Sequence, residues 1–293
     1  MANSYKHRTG DRKEGRLLRS LPADDSFFPY LVPGSTDDLI LYEESFDVTK
    51  VTECLFQERE GGYENINFLH FFIAAYIRCV SIVPSVNRYI IAQRIFTRDG
   101  IDVIVKIRRS EKMEGSEAKV KIHFEPTDTI FDVYRKINEK TDELRSQDYS
   151  TSLEEIASTF TRSTRLLKRA VVFGLRIADR FGLLSEKFMD TSIYHASMAI
   201  DDASILKCGP FWKVTGSIGS IPMYVSFGES HRVNELSDTG EVIHKEVVDY
   251  RFTADTRITD PRSFSQFLQA LRYIYEHPII LEKNPSRVVE DAG

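Results

Sequence analysis

Apolar residues in this chain recur with two different periods. Ile101, Val103, Val105 and Ile107 fall at every second position, and Val120, Ile122 and Phe124 alternate with Lys119, Lys121 and His123. A period of two places such a set on the covered face of a strand. Glu114-Gly115-Ser116 lies between the runs and predicts a hairpin turn. Toward the C-terminus Phe264, Phe267, Leu268, Leu271, Ile274 and Tyr275 recur at threes and fours. That spacing predicts an amphipathic helix that starts at Arg262 and stops at Pro278. Residues 67–83 are apolar nearly all round, which predicts a helix buried on every side and ended by Pro84.

The remaining runs complete a mixed α/β pattern. Strands are expected over residues 39–46, 89–96, 192–200, 223–227 and 242–254, and helices over 49–60, 129–147 and 152–184. Pro33-Gly34-Ser35, Gly61-Gly62 and Asp238-Thr239-Gly240 read as turns. Several strands follow one another without an intervening helix, which favours a mixed α/β sandwich over a doubly wound parallel sheet. No repeat or low-complexity linker divides the chain. One domain over residues 21–285 is expected, with a flexible basic arm over 1–20 and a tail over 286–293.

Composition narrows the classes. The chain has 293 residues, 42% hydrophobic and 28% charged, so it is long enough for a large core and far from disordered sequences. A net charge of −5 gives no overall footprint for nucleic acid. Cys54, Cys79 and Cys208 are odd in number and widely spaced, which predicts neither a disulfide framework nor a zinc site, and suits a reducing cytoplasm. The basic N-terminus lacks the apolar core of a signal peptide. Gly216-Ser217-Ile218-Gly219 has neither the spacing nor the strand-to-helix context of a nucleotide-binding loop. His70, in the apolar helix, is expected to be a core residue; His195, ahead of a strand, is expected to be structural, the alternative being that it faces a cleft.

Candidate chemistry gathers at the end of the last strand, where the sequence runs Asp255-Thr256-Arg257-Ile258-Thr259-Asp260-Pro261. This resembles the Asp-His-Arg-x-x-Asp-Gly signature of the acyltransferase domains of 2-oxo acid dehydrogenase complexes, and the related motif of chloramphenicol acetyltransferase. Phe46-Asp47-Val48-Thr49-Lys50, the buried helix followed by Pro84-Ser85-Val86-Asn87, and Phe267-Leu268-Gln269-Ala270-Leu271 are similar to other parts of the same family. The likeness runs from about Arg16 to Pro278 and is closest to stand-alone bacterial members.

The resemblance implies a chloramphenicol acetyltransferase-like two-layer α/β sandwich with a mixed sheet. It also implies coenzyme A or acetyl-coenzyme A as ligand, no metal, no lipoyl group on this chain, and a homotrimer or a related partner subunit. In the family a histidine takes the proton from the attacking thiol or hydroxyl, and a strand hydroxyl stabilises the oxyanion. Thr256 stands at the histidine position, Arg257 and Asp260 keep theirs, and Pro261 replaces glycine. Asp201 falls at the hydroxyl position, Asp202 at the neighbouring asparagine and Ser204 at a glycine. Threonine is no general base at neutral pH, and a carboxylate opposes a developing oxyanion. The expected function is therefore an acyltransferase-fold binding or assembly protein. The alternative is an acyltransferase with rearranged residues, in which Asp201 with a raised pKa serves as base.

One further pattern lies outside the motif. Arg162, Arg165, Arg169, Arg176 and Arg180 form a stripe along the helix expected over 152–184, with Leu166, Leu167, Ala170, Phe173, Ile177 and Phe181 mainly elsewhere. Such a basic amphipathic helix suits an acidic partner or an anionic membrane surface. A solvated face of an internal helix is the expectation preferred here.

Overall fold

A computed structural model describes residues 8–32, 34–108, 117–146, 152–214, 219–236 and 239–291. The expected turn residues Glu114-Gly115-Ser116, Asp238 and Gly216-Ser217-Ile218 lie outside them, as do Pro33 and residues 1–7 of the expected arm.

The main sheet is mixed. Its strands are β2 (Leu39–Asp47), β5 (Ile101–Arg108), β6 (Glu117–Phe124), β7 (Met198–Asp202), β8 (Met223–Phe227), β9 (His231–Leu236) and β10 (Val242–Asp255). The order is β2-β10-β8-β7-β5-β6, with β9 pairing the first half of β10. The β5–β7 and β7–β8 pairs are parallel and the others antiparallel. The alternation seen in sequence sets the register. Ile101, Val103, Val105 and Ile107 all face the core, while His123 and Lys119 point outward from β6.

Helices cover that inner face. α3 (Phe68–Ile82) is buried along almost its whole length. It is flanked by α4 (Ile130–Ser146) and α8 (Pro261–Glu276), with α2 (Thr49–Glu60) against α8. Asn67 caps α3: its Oδ1 accepts the Leu69 amide at 3.0 Å, and its own amide donates to Nδ1 of His70 at 3.2 Å. Aromatic rings fill the layer between. Phe46 stacks on Tyr275 at 4.5 Å, Phe72 on Tyr250 at 5.2 Å, and the Tyr275 hydroxyl donates to that of Tyr250 at 2.6 Å. Removing a ring such as Phe72, fully buried, costs about 3–5 kcal/mol.

Several expectations need correction. The strand expected over 89–96 is two strands, β3 (Arg88–Ile91) and β4 (Arg94–Arg98). Ala92 and Gln93 join them with positive φ, 52° and 60°, as a two-residue hairpin loop demands. With β1 (Gly15–Leu17) they make a small second sheet in the order β1-β4-β3, so the expected arm contains a paired strand. Residues 152–184 are not one helix. α5 (Ser152–Thr159) ends before Thr164, whose hydroxyl accepts the Leu167 amide and starts α6 (Arg165–Arg180). Residues 192–200 are strand only from Met198. Two short helices were not expected, α1 (Ala23–Leu31) and α7 (Glu186–Thr191), and neither was β9. The C-terminal segment is tied down: Arg88 donates twice to the Asp291 carboxylate, at 2.6 and 2.7 Å. No described helix is long and apolar enough to cross a membrane.

Candidate functional site

The motif residues sit where β10 gives way to α8. Asp255 closes the strand, paired with Leu39 of β2, and its carbonyl accepts the amides of Ile258 and Thr259. The chain turns there, and Asp260 caps α8: one oxygen accepts the amides of Arg262 and Ser263 at 2.9 and 3.0 Å, the other the Ser263 hydroxyl at 2.6 Å. Burial would raise the Asp260 pKa, but these hydrogen bonds to its charged form outweigh it and hold the carboxyl below the ordinary range. Pro261 follows as the first helical residue, where a missing amide proton costs nothing. In this chain Asp260 is thus a helix cap.

Arg257 turns back on Asp255. Its Nε and Nη2 approach the two carboxylate oxygens at 2.9 and 2.6 Å, and its amide adds a third bond at 3.0 Å. Both side chains are buried. Between them Thr256 is half-buried, and its hydroxyl donates to the carbonyl of Asp38 at 3.1 Å. That bond uses the hydroxyl proton on the loop before β2, so Thr256 acts here as a strap between neighbouring segments.

Asp201 lies two strands away, on β7. It is buried and anionic: the Tyr224 hydroxyl donates to it at 2.5 Å, and the ammonium groups of Lys106 and Lys213 stand at 3.1 and 3.4 Å. Burial alone would raise its pKa; Tyr224, Lys213 and Lys106 together overcome that and hold it down. The shift thus runs opposite to the raised pKa that a base at Asp201 would need, and the carboxylate's partners are two lysines and a tyrosine. Asp202 caps the following turn, accepting the amide of Ser204 at 3.0 Å and its hydroxyl. Lys213 comes from an irregular segment pinned to β8, where Ser226 Oγ accepts the Phe211 amide at 2.8 Å. Next to Lys213, Trp212 lies under the Arg251 guanidinium, 5.0 Å from ring centre to Cζ.

Lys213 and Tyr224, both partners of Asp201, face Asp255 and Thr253 across one small pocket of about 10 Å³. That is the lower limit for a single water. Larger space lies beyond Arg257. A cleft of about 240 Å³ is lined by Arg176, Arg180 and Arg257 with one carboxylate, Asp179, among them, a net cationic wall suited to phosphate. It adjoins a cleft of about 860 Å³ that shares Ile91–Gln93 and Arg180, and the left-handed turn residues Ala92 and Gln93 border both.

The histidines stand elsewhere. His70 completes the cap of α3, and burial lowers its pKa to about 4. His195 is buried between two partners: Nδ1 meets Ser192 Oγ at 2.7 Å and Nε2 meets Asp179 at 3.2 Å. This has the residue types of a nucleophile–base–acid relay. Yet Ser192 is fully buried, takes the Tyr194 amide on its oxygen, and lines none of the clefts described above. The cluster is a clamp that holds the end of α6, assisted by Arg12, which donates to the Asp179 carbonyl at 2.9 Å. Sequence reasoning missed it because Asp179 of α6 and Arg12 near the N-terminus are distant in sequence from Ser192 and His195. Among the described residues no group of His, Cys, Asp or Glu is arranged to hold a metal ion.

This architecture defines a class: a single-domain protein with the chloramphenicol acetyltransferase-like fold of 2-oxo acid dehydrogenase acyltransferase catalytic domains. A probable dihydrolipoamide acetyltransferase of Listeria monocytogenes superposes with a TM-score of 0.55 at 14% identity, covering 86% of this chain and 88% of that one. The dihydrolipoamide acetyltransferase of Azotobacter vinelandii gives 0.58 at 10% identity over 93% and 95%. A chloramphenicol acetyltransferase gives 0.52 at 12% identity over 87% and 96%. Identities this low establish the fold and leave the reaction open. No family model matches the sequence, and no curated protein is found similar to it.

Proposed function

We propose that this protein keeps the acyltransferase fold as a binding or assembly protein and does not transfer acyl groups by the family's histidine-dependent route. The observation that carries this reading is the environment of Asp201. A negative charge locked by Lys106, Lys213 and Tyr224 occupies the position that the motif alignment assigns to an oxyanion-stabilising hydroxyl. An oxyanion forming there would be repelled, whereas catalysis needs donors. Thr256 at the histidine position supports the same reading, since no threonine takes a proton near neutral pH. The 10 Å³ pocket between Asp255 and Tyr224 admits no thioester.

Coenzyme A remains the ligand class to test, because the arginine-lined cleft beside Arg257 suits its phosphates. Within this reading the protein assembles as a homotrimer or with a related subunit. The test is calorimetric titration of the purified chain with coenzyme A and acetyl-coenzyme A, with solution mass recorded alongside and acetyl transfer to a dithiol assayed in parallel. Binding, or an assembled state, without transfer supports the proposal. Transfer above the protein-free rate would overturn it in favour of rearranged chemistry.

A further inference from the structure

We propose that α6 seats this protein on an anionic phospholipid surface. The inference uses neither Thr256 nor Asp201; Arg176 and Arg180 also border the 240 Å³ cleft, whereas Arg165 and Arg169, substituted in the test below, do not.

The helix is held along one edge. Val171, Leu175 and Ala178 are half-buried against the body, and Asp179 is buried in its clamp with His195 and Arg12. The opposite edge is apolar and uncovered. Leu166, Ala170, Phe173 and Ile177 follow one another at fours and threes on a single line, and Phe181 extends it past the last turn. Leu166 is 77% exposed, Phe173 65% and Phe181 69%. Single exposed apolar residues are ordinary, but a continuous ridge of them marks an interaction surface. The ridge does not end with the helix: Phe181 shares the 860 Å³ cleft with Tyr30 of α1, where Phe27 is also exposed.

Charge selects the partner. Arg165, Arg169, Arg176 and Arg180 lie along the same flank of the ridge, with Arg162 in line ahead of them, and all five are exposed. Asp179 is the one carboxylate between Arg162 and Arg180, in a chain whose net charge is −5. The cations are therefore concentrated beside the ridge against the trend of the molecule. Exposed guanidinium groups pair with phosphate oxygens in a fork. The exposed rings and leucines then enter the boundary between headgroups and acyl chains, with the helix axis in the membrane plane. Exposed rings and leucines flanked by cations suit such a yielding surface, whereas a protein partner would have to offer an acidic face of matching shape. At 16 residues with its arginines included, α6 lies on a bilayer and does not cross it.

The test is flotation of the full chain with vesicles of pure phosphatidylcholine and with vesicles that also contain phosphatidylglycerol. The expected result is flotation with the second and not the first. Arg165→Gln with Arg169→Gln should weaken partitioning by about five-fold per arginine. Phe173→Asp should weaken it by more than ten-fold, because a charge would then have to enter the boundary region. Circular dichroism and solution mass should be unchanged in both variants. Failure to float with anionic vesicles overturns the proposal. So does flotation that both variants leave intact. A variant that changes the solution mass while leaving flotation untouched would assign the ridge to a second copy of the chain and likewise overturn it.

Discussion

Arg257 holds Asp255 through both carboxylate oxygens, at 2.9 and 2.6 Å, two residues away along the chain and buried with it. This ion pair fixes the turn from β10 into α8 and aims Thr256 at the Asp38 carbonyl. Losing one member leaves the other charge buried and unpaired, so Arg257→Ala and Asp255→Ala should each destabilise by about 3–5 kcal/mol. The double variant should cost less than the sum of the two. Urea unfolding of the three variants checks this, and simple additivity would show that the pair is not coupled.

Restoring the histidine alone should restore nothing. Thr256→His supplies a base, but it loses the bond to Asp38 and leaves Asp201 anionic two strands away. Acetyl transfer from acetyl-coenzyme A to a dithiol should stay at the protein-free rate in Thr256→His. If the single substitution gives transfer, the pocket beside Asp255 opens more readily than its geometry implies. The comparison with Thr256→His/Asp201→Ser then isolates the contribution of the carboxylate.

His70 should make stability depend on pH in a defined window. Burial lowers its pKa from 6.5 to about 4. Between those values the unfolded chain binds a proton that the folded chain refuses, so stability falls as pH drops from 6.5 toward 4. The loss over the window is about 3 kcal/mol, at ~1.4 kcal/mol per pH unit. His70→Gln keeps an acceptor for the Asn67 amide and should flatten this slope. Chemical denaturation at several pH values measures it; an unchanged slope would place the titration elsewhere.

Asp201 acts at lower pH. Its folded pKa lies below the ordinary 3.8 despite burial, because Tyr224, Lys213 and Lys106 favour the charged form. A depressed carboxyl contributes stability that is fully present above the unfolded value and is lost as pH falls through the folded one. Asp201→Asn should therefore remove part of the acid-induced loss below pH 3.8. It should also destabilise the protein at neutral pH, where Lys106 and Lys213 lose their shared counter-charge. Acid titration of variant and parent by circular dichroism separates this step from that of His70.

The clamp at the end of α6 predicts a local effect. His195→Ala removes the link between Ser192 and Asp179. Amide exchange should accelerate in α6 and α7 with little change in α3, which is packed on all sides. Uniform acceleration throughout the chain would mean that the clamp supports the whole fold.

Legibility of the fold from sequence followed the strength of the periodic signal. α3, the β5–β6 pair and α8 were plain because burial imposes a period on their residues. The β3–β4 hairpin was hidden because its turn is Ala92-Gln93, and neither residue advertises the positive φ it adopts. The break between α5 and α6 was hidden because Thr164 is one of several polar residues that would serve as a cap. At the candidate site the residues of 255–261 were legible as a linear motif. The partners of Asp201 were not, since Lys106, Lys213 and Tyr224 meet only when β5, β7 and β8 lie side by side. The capping role of Asp260 was likewise invisible until Ser263 was seen within reach of both its oxygens.

The segment that delivers Lys213 to Asp201 carries the chain's single tryptophan, Trp212. Its indole, partly exposed and stacked under Arg251, is a built-in optical probe of that corner of the fold. Emission excited at the red edge of protein absorbance arises there alone. A ligand that displaces Lys213, or a proton that releases it from Asp201, will report itself as a colour shift without any label being attached.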